Sequence, residues 1–303
     1  MPSLSAVRAA NAAFSPSYIP VALFVGGTSG IGRATAEAFA RYTKGQAHIV
    51  ICGRNRAAAE SIIASFPKST NSKYEFVECD ATLMKNVQST TTTLMSTLPK
   101  LNYLFETPGY LTLKGRDETS EGLDRKLALN YYARWKFTND LMPLLRKAKD
   151  AGEDAKMLSV LSAGHGGPID LDDLGLKKGF SLYAAGVAAV TYNDLMIESF
   201  SDQQPNMAFT HMFPGGVRTP IAIPQHWALK PLFPVIYVLA YPFSFSMSES
   251  AEYHLHALLT GENGSFRRGP RGDLLENKGK GYFSSEEAKK KLWEHTVEVT
   301  TVI

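Results

Sequence analysis

Three glycines near the N-terminus have the spacing of a phosphate-binding turn. Gly26, Gly30 and Gly32 follow an apolar run that predicts a buried strand, and a helical pattern begins at Gly30. Glycines let the backbone turn tightly, so that a pyrophosphate can approach the free N–H groups and the positive dipole end of the helix. The spacing Gly-x3-Gly-x-Gly therefore predicts a dinucleotide site, with a plain glycine-rich turn as the alternative.

The elements that position this turn alternate along the chain. Continuous apolar strands separated by helices are typical of a parallel sheet covered on both faces. The predicted strands are 18–25, 48–52, 74–79, 101–105, 157–161 and 207–213. The predicted helices are 30–42, 56–66, about 83–98, about 182–200 and one or two helices within 119–147. We therefore predict a doubly wound α/β fold in three layers.

Length and composition are compatible with one large domain. The 303 residues allow two domains or one large α/β domain. A content of 44% hydrophobic and 20% charged residues excludes a disordered or fibrous chain. No repeat or linker divides the sequence, so we predict a single domain. It consists of an N-terminal extension (1–17), a dinucleotide-binding part with the catalytic residues (18–220), and a substrate lid with a C-terminal extension (221–303).

Charge and cysteine content exclude several classes of protein. The 32 basic and 29 acidic residues leave a net charge of +3, without a basic cluster that would bind nucleic acid. Cys52 and Cys79 are too few for a disulfide framework or a four-ligand zinc site, and they fit a reducing compartment. The first residues lack the apolar segment of a secretory signal. We therefore expect a cytoplasmic protein with no metal.

The segment 25–32, VGGTSGIG, resembles the cofactor turn of the short-chain dehydrogenase/reductase superfamily, and further landmarks recur in order from about residue 20 to 220. The resemblance implies a Rossmann fold and a nicotinamide cofactor. Arg54 stands where NAD-preferring members carry an acid, and a guanidinium there pairs with a 2′-phosphate. The resemblance therefore implies NADP(H), with a solvated turn arginine as the alternative.

Further landmarks complete the implied cofactor site. Asp80 matches the family acid that meets the adenine amino group, or else it caps the following helix. The segment 214–219, PGGVRT, matches the motif that frames the nicotinamide, with the Val217 backbone and the Thr219 hydroxyl on the carboxamide. The residues assigned to the cofactor by resemblance are Gly26, Thr28, Ser29, Gly30, Ile31, Gly32, Arg54, Asn55, Asp80, Ala81, Gly109, Pro214, Gly215, Val217 and Thr219.

The family reduces carbonyls with four residues, and three of them have counterparts in this sequence. By resemblance, Tyr183 donates the proton, Ser162 orients the substrate oxygen and Asn130 links a water to a lysine. The lysine position is Val187, and residues 179–204 contain no lysine or arginine. A tyrosine without this lysine stays protonated at neutral pH, so carbonyl reduction should suffer less than alcohol oxidation. The alternative for Tyr183 is an aromatic side chain that packs at a helix start.

The turn after the fourth strand also departs from the family pattern. Residues 106–109, ETPG, replace Asn-Asn-Ala-Gly, and Pro108 lacks a backbone donor. Arg134 or His165 could supply the missing cation or acid, and Glu106 could act as a base. The simpler interpretation is a solvated arginine, a loop histidine and a surface acid.

Two segments resemble the retinol-dehydrogenase-like branch of the family, the insert 169–178 and the tail 284–300. The segment 221–245 is apolar and broken by prolines, and in this fold it covers the substrate. Its longest apolar stretch, 231–243, has 13 residues, whereas a membrane-spanning helix needs about 20. We expect a sizeable apolar substrate, with a buried helix pair or a peripheral membrane contact as alternatives for this segment.

These features predict an NADPH-dependent reductase of a lipophilic ketone or enone, acting in secondary metabolism as a monomer or homodimer. The alternative is an NADP-binding protein without redox turnover, either a cyclase- or isomerase-type catalyst or a scaffold. Val187 at the lysine position and the altered turn after the fourth strand keep this alternative open.

Overall fold

A seven-stranded parallel sheet forms the centre of the computed structural model, which describes residues 1–109, 112–222, 241–279 and 281–302. Its strands are β1 (Val21–Val25), β2 (His48–Gly53), β3 (Lys73–Glu78), β4 (Tyr103–Glu106), β5 (Lys156–Val160), β6 (Ala208–Met212) and β7 (Gly264–Arg268). Their order across the sheet is β3-β2-β1-β4-β5-β6-β7, and every neighbouring pair is parallel. The order reverses between β1 and β4, which confirms the doubly wound topology.

Helices cover both faces of this sheet. They are α1 (Leu4–Ala12), α2 (Gly30–Tyr42), α3 (Arg56–Ser65), α4 (Met84–Thr97), α5 (Ala133–Asp150), α6 (Leu182–Gln203), α7 (Met247–Thr260) and α8 (Glu286–Thr300). A π-helical segment, Ala128–Tyr132, leads directly into α5 and follows one α-helical turn, Arg125–Leu127.

Side chains alternate between two buried clusters because successive strand residues point to opposite faces. On β1, Leu23 packs in the cluster of α4, α5, α6 and α8, whereas Phe24 packs in the cluster of α1, α2, α3 and α7. The three predicted layers are therefore present.

Strand β7 is the one element of the sheet that the apolar patterns do not predict. Its sequence, GSFRR, has no continuous apolar run, yet it pairs with β6 along its whole length. The sheet therefore continues beyond residue 220 into the part of the chain predicted as lid and extension.

The predicted N-terminal extension contains a packed helix, α1. Asn11 is buried, and its Nδ2 donates to the Glu252 carbonyl (3.0 Å) and to Glu252 Oε2 (2.9 Å) on α7. Arg41 and Tyr42 at the end of α2 also donate to the Glu252 carboxylate. This carboxylate therefore holds α1, α2 and α7 together.

Most of the predicted lid, 221–245, lies outside the described residues, which resume at Tyr241. The two ends of the segment are short 3₁₀ turns, Pro220–Ala222 and Tyr241–Phe243, and the Phe243 side chain is 85% exposed. Among the helices of the described ranges, none is long and apolar enough to cross a membrane.

Candidate active site

A cavity of about 590 Å³ opens at the carboxyl ends of β1 and β4, where the strand order reverses. In doubly wound sheets this crevice is where ligands bind. The cofactor residues predicted from the sequence that line it are Gly26, Thr28, Ser29, Gly30, Ile31, Arg54, Asp80, Ala81, Gly109, Pro214 and Thr219. The fold therefore brings together residues that are almost 200 positions apart in the chain.

The glycine turn has a backbone that only glycine adopts easily. Gly26 has a φ of +81°, and a Cβ atom at this residue would lie 2.7 Å from Thr107 Oγ1. Gly30, with a φ of +55°, begins α2. Ser29 precedes it in an extended conformation, and its side chain makes no capping hydrogen bond. The first amides of α2 thus remain available for an anion, which fits the pyrophosphate of a dinucleotide.

Arg54 lies in the cavity wall at the end of β2 and is exposed. It forms no ion pair or hydrogen bond with any residue in the described part of the chain. Arg56, by contrast, places its guanidinium 4.9 Å from the centre of the Phe76 ring and 3.6 Å from Glu78 Oε2. Arg54 is therefore the arginine of this turn that is available to a phosphate.

Two predicted cofactor residues stabilise the turns that surround the cavity instead of lining it. Asn55 caps α3, with its Oδ1 accepting from the Ala58 amide at 3.0 Å. Gly32 lies beneath the glycine turn, where a Cβ atom would collide with the Gly26 carbonyl oxygen. Asp80 does line the cavity, and its Oδ1 accepts from the amide and the hydroxyl of Thr82 (3.1 and 2.8 Å).

The segment after β6 forms the opposite wall. Pro214 and Thr219 line the cavity, whereas Gly215 and Val217 do not. Val217 forms a parallel bridge with Phe245, and Gly215 has a φ of +71° with its Cα facing the Phe245 ring. These two residues hold the segment in place beside the cavity.

Of the three predicted catalytic residues, only Asn130 lines the cavity. Its Oδ1 lies 3.0 Å from the position that a Cβ of Gly109 would take. Ser162 follows β5 and is half-buried, and Tyr183 lies in the first turn of α6 with 79% of its surface exposed. Within the described residues, neither Ser162 nor Tyr183 is part of the cavity wall.

The lysine position is filled by an apolar contact. Val187 packs against the loop after β5, where a Cβ on Gly167 would lie 2.5 Å from Val187 Cγ1. His165 in this loop is exposed, with its ring 4.4 Å from that of Phe213, as expected for a loop histidine.

Arg134 is buried rather than solvated, which shows that the simpler interpretation of this arginine was wrong. Only 1% of its surface is exposed, and it lines the cavity. Its Nη1 donates to Ser159 Oγ (2.6 Å) and the Val160 carbonyl (2.8 Å), and its Nη2 to the Pro108 carbonyl (2.6 Å). Its Nε donates to the Leu129 carbonyl at 3.2 Å. The guanidinium thus joins the ends of β4 and β5 to the π-helical segment.

Glu106 is also buried, so its interpretation as a surface acid was wrong as well. Neither oxygen of its carboxyl group has a hydrogen-bond partner among the described residues. Burial raises the pKa of Glu106 well above its usual range, although the nearby Arg134 charge opposes this shift. Burial also lowers the pKa of Arg134 to about 10, which leaves the guanidinium charged at neutral pH.

Glu106 belongs to a buried polar row that the sequence patterns did not indicate, and Arg134 contacts this row through Ser159. Glu106, Ser159, His211 and Arg267 are register partners on β4, β5, β6 and β7. Asp194 of α6 lies beside the row, with its Oδ1 2.6 Å from His211 Nδ1 and its Oδ2 3.0 Å from Arg267 Nε. A polar residue at the same register of four neighbouring strands was the available signal, but it becomes visible only when the strand order is known.

Cys52 and Cys79 are free and buried, and both line the cavity. A hydrogen bond between the two thiols raises the pKa of Cys52 and lowers that of Cys79. Across the described ranges, no three histidine, cysteine, aspartate or glutamate side chains are grouped so that they could hold a metal ion.

Comparisons with known proteins agree with this geometry. The family model for short chain dehydrogenases matches residues 20–168. An oxidoreductase of Emericella nidulans is 36% identical over 261 residues, covering 85% of this chain and 77% of its own. A polyprenol dehydrogenase of Homo sapiens is 27% identical over 223 residues, covering 72% and 67%. The solved alcohol dehydrogenase from Thermococcus sibiricus complexed with 5-hydroxy-NADP has the same fold (TM-score 0.60, 15% identity, 82% of this chain and 96% of that one).

Proposed function

Since the chain belongs to the short-chain dehydrogenase/reductase family, we propose that it is an NADPH-dependent reductase of a lipophilic ketone or enone. The observation that carries the proposal is the cavity at the switch point of the sheet, with an unpaired arginine, Arg54, in its wall. The complex of the Thermococcus sibiricus enzyme with 5-hydroxy-NADP supports the choice of cofactor.

The chain has backbone or side-chain groups that could bind each part of this cofactor. The free amides at the start of α2 would bind the pyrophosphate, and Arg54 would bind the 2′-phosphate with charge-assisted hydrogen bonds. Asp80 would accept from the adenine amino group, and Thr219 would hold the carboxamide. When bound, the nicotinamide supplies the hydride of the reduction.

The proposed reduction also needs a proton, which we assign to Tyr183, with Ser162 orienting the carbonyl oxygen. The Tyr183 side chain is 79% exposed, and the proposed step requires its hydroxyl to come within hydrogen-bond reach of the carbonyl oxygen whose carbon faces the nicotinamide. A lipophilic substrate is supported by the exposed apolar side chains of Ile221 and Phe243, and by the human relative, whose name states that it acts on a polyprenol. We further propose that the protein acts in the cytoplasm in secondary metabolism, as a monomer or a homodimer. The segment 221–245 would make at most a peripheral contact with a membrane.

The second candidate is an NADP-binding protein without redox turnover. It is favoured by the apolar contact of Val187 at the lysine position and by the position of Tyr183 outside the cavity wall. Such a protein would use the cofactor as a structural element of a cyclase- or isomerase-type site, or of a scaffold.

One experiment separates these candidates. NADPH is titrated by its fluorescence, and its absorbance at 340 nm is then followed with a panel of apolar ketones and enones. We expect oxidation of NADPH by at least one compound, and tight binding without oxidation across the panel would favour the second candidate. Tyr183→Phe should abolish turnover and leave the NADPH Kd unchanged, and turnover that persists would refute Tyr183 as the proton donor.

A further inference from the structure

A chain of hydrogen bonds runs through the interior behind the cavity. Arg134 Nη1 donates to Ser159 Oγ at 2.6 Å, and this hydroxyl donates onward to Asn193 Oδ1 at 2.7 Å. Asn193 Nδ2 then donates to the Asn130 carbonyl at 2.7 Å. Arg134, Ser159 and Asn193 are all buried, so these bonds form without competition from bulk water.

The end of this chain lies in the π-helical segment. A π turn replaces the regular α-helical ladder, and such turns are frequent at functional sites. The Asn130 carbonyl is bound by a side chain of α6, and the Asn130 side chain faces Gly109 in the cavity wall. The interior chain therefore fixes the orientation of the residue that closes this end of the cavity.

The start of the chain fixes a second part of the same wall. The Arg134 guanidinium holds the Pro108 carbonyl at 2.6 Å and the Val160 carbonyl at 2.8 Å. Gly109, directly after Pro108, lines the cavity. One buried cation thus sets the distance between the turn after β4, the end of β5 and the start of α5.

We propose that Arg134, Ser159 and Asn193 are positioning residues for the nicotinamide half of the cofactor. They have this role in a chain in which Val187 replaces the lysine of the family. The proposal rests on the proposed function, because it requires the dinucleotide to bind with its nicotinamide beside Gly109 and Asn130. The residues act through Asn130 and the turn 106–109, and they leave the adenosine end of the cavity, around Arg54, unaffected.

The test compares two ligands that share the adenosine end. Wild-type protein and the variants Arg134→Met and Ser159→Ala are titrated with NADPH and with adenosine 2′,5′-bisphosphate, which lacks the nicotinamide half. Loss of a charged hydrogen bond predicts an NADPH Kd at least about tenfold higher for Arg134→Met, and Ser159→Ala should raise it about threefold to tenfold. The Kd of adenosine 2′,5′-bisphosphate should stay within about twofold in both variants, because it makes no contact at this end.

A control variant and a second test variant make the comparison of the two Kd values interpretable. Arg146→Met removes an exposed arginine of the same helix whose Nε donates to Gln204 Oε1 at 3.1 Å, and both ligands should bind this variant as they bind the wild type. Ser159→Ala removes one hydroxyl and is expected to fold. If Arg134→Met does not fold, the two Kd values of Ser159→Ala therefore still test the positioning role. Equal weakening of both ligands, or no weakening, would overturn the positioning role while the proposed function stands. A wild-type protein that binds adenosine 2′,5′-bisphosphate but not NADPH would overturn both.

Discussion

Replacement of Arg54 by alanine is expected to lower the affinity for NADPH without changing the affinity for NADH. Arg54 is exposed and lines the cavity, and its removal breaks no ion pair or hydrogen bond among the described residues. The difference in ligand binding therefore measures the contact with the 2′-phosphate, which NADH lacks.

The magnitude follows from the exposure of the site. A hydrogen bond to a charged group contributes about 1.5–3 kcal/mol, and solvent screening places an exposed arginine at the lower end of this range. A loss of about 1.5–2 kcal/mol corresponds to an NADPH Kd that is about 10- to 30-fold higher. Because the contact is electrostatic, the difference between wild type and variant should shrink at high salt.

The assay is a fluorescence titration of both nucleotides at two salt concentrations, with Arg56→Ala as the matched control. Arg56 stands two positions further on and already contacts Phe76 and Glu78, so its removal should change the NADPH Kd by less than about twofold. A similar loss of NADPH and NADH affinity in Arg54→Ala would refute the assignment. So would a loss in Arg56→Ala as large as that in Arg54→Ala.

Two further predictions concern the altered interior of the site. Val187→Lys should raise the rate of alcohol oxidation at least about tenfold relative to Val187→Met, because a lysine favours the deprotonated form of a neighbouring tyrosine. Equal oxidation rates of the two variants would refute Tyr183 as the acid. In the folded protein Glu106 keeps its proton above its ordinary pKa of about 4.3, whereas the unfolded chain loses it. The wild-type free energy of unfolding should therefore fall between pH 5 and 7, by up to about 1.4 kcal/mol per pH unit, relative to Glu106→Gln. Urea unfolding at both pH values measures this difference, and parallel pH profiles would contradict it.

The fold could be predicted where local sequence decides local structure. Six of the seven strands are apolar or alternating runs, and the glycines at positions 26 and 30 occupy backbone conformations with positive φ. Strand β7 could not be predicted in this way, because Arg267 is buried through partners distant in the sequence, Asp194 of α6 and the Gly281 carbonyl among them.

In the candidate site, too, the sequence predicts the element that carries a residue better than the surroundings of its side chain. The sequence located Asn130 and Tyr183 on the correct elements, but it could not show that one side chain faces the cavity while the other is exposed. The surroundings of Arg134 were also hidden, because its partners come from three separate segments of the chain. Such contacts depend on the assembled fold, since a charged residue is buried only when several distant acceptors converge on it.

The hydrogen-bond chain of Arg134, Ser159 and Asn193 limits the order in which this interior can change by substitution. Arg134, Ser159 and Asn193 each satisfy a neighbour, so replacing one of them leaves the next donor or acceptor unpaired in a dry interior. Each single replacement in this chain is therefore expected to lower the stability of the protein, and the costs of the individual replacements do not add. Simultaneous replacement of Arg134, Ser159 and Asn193 should therefore cost less than the sum of the three single replacements.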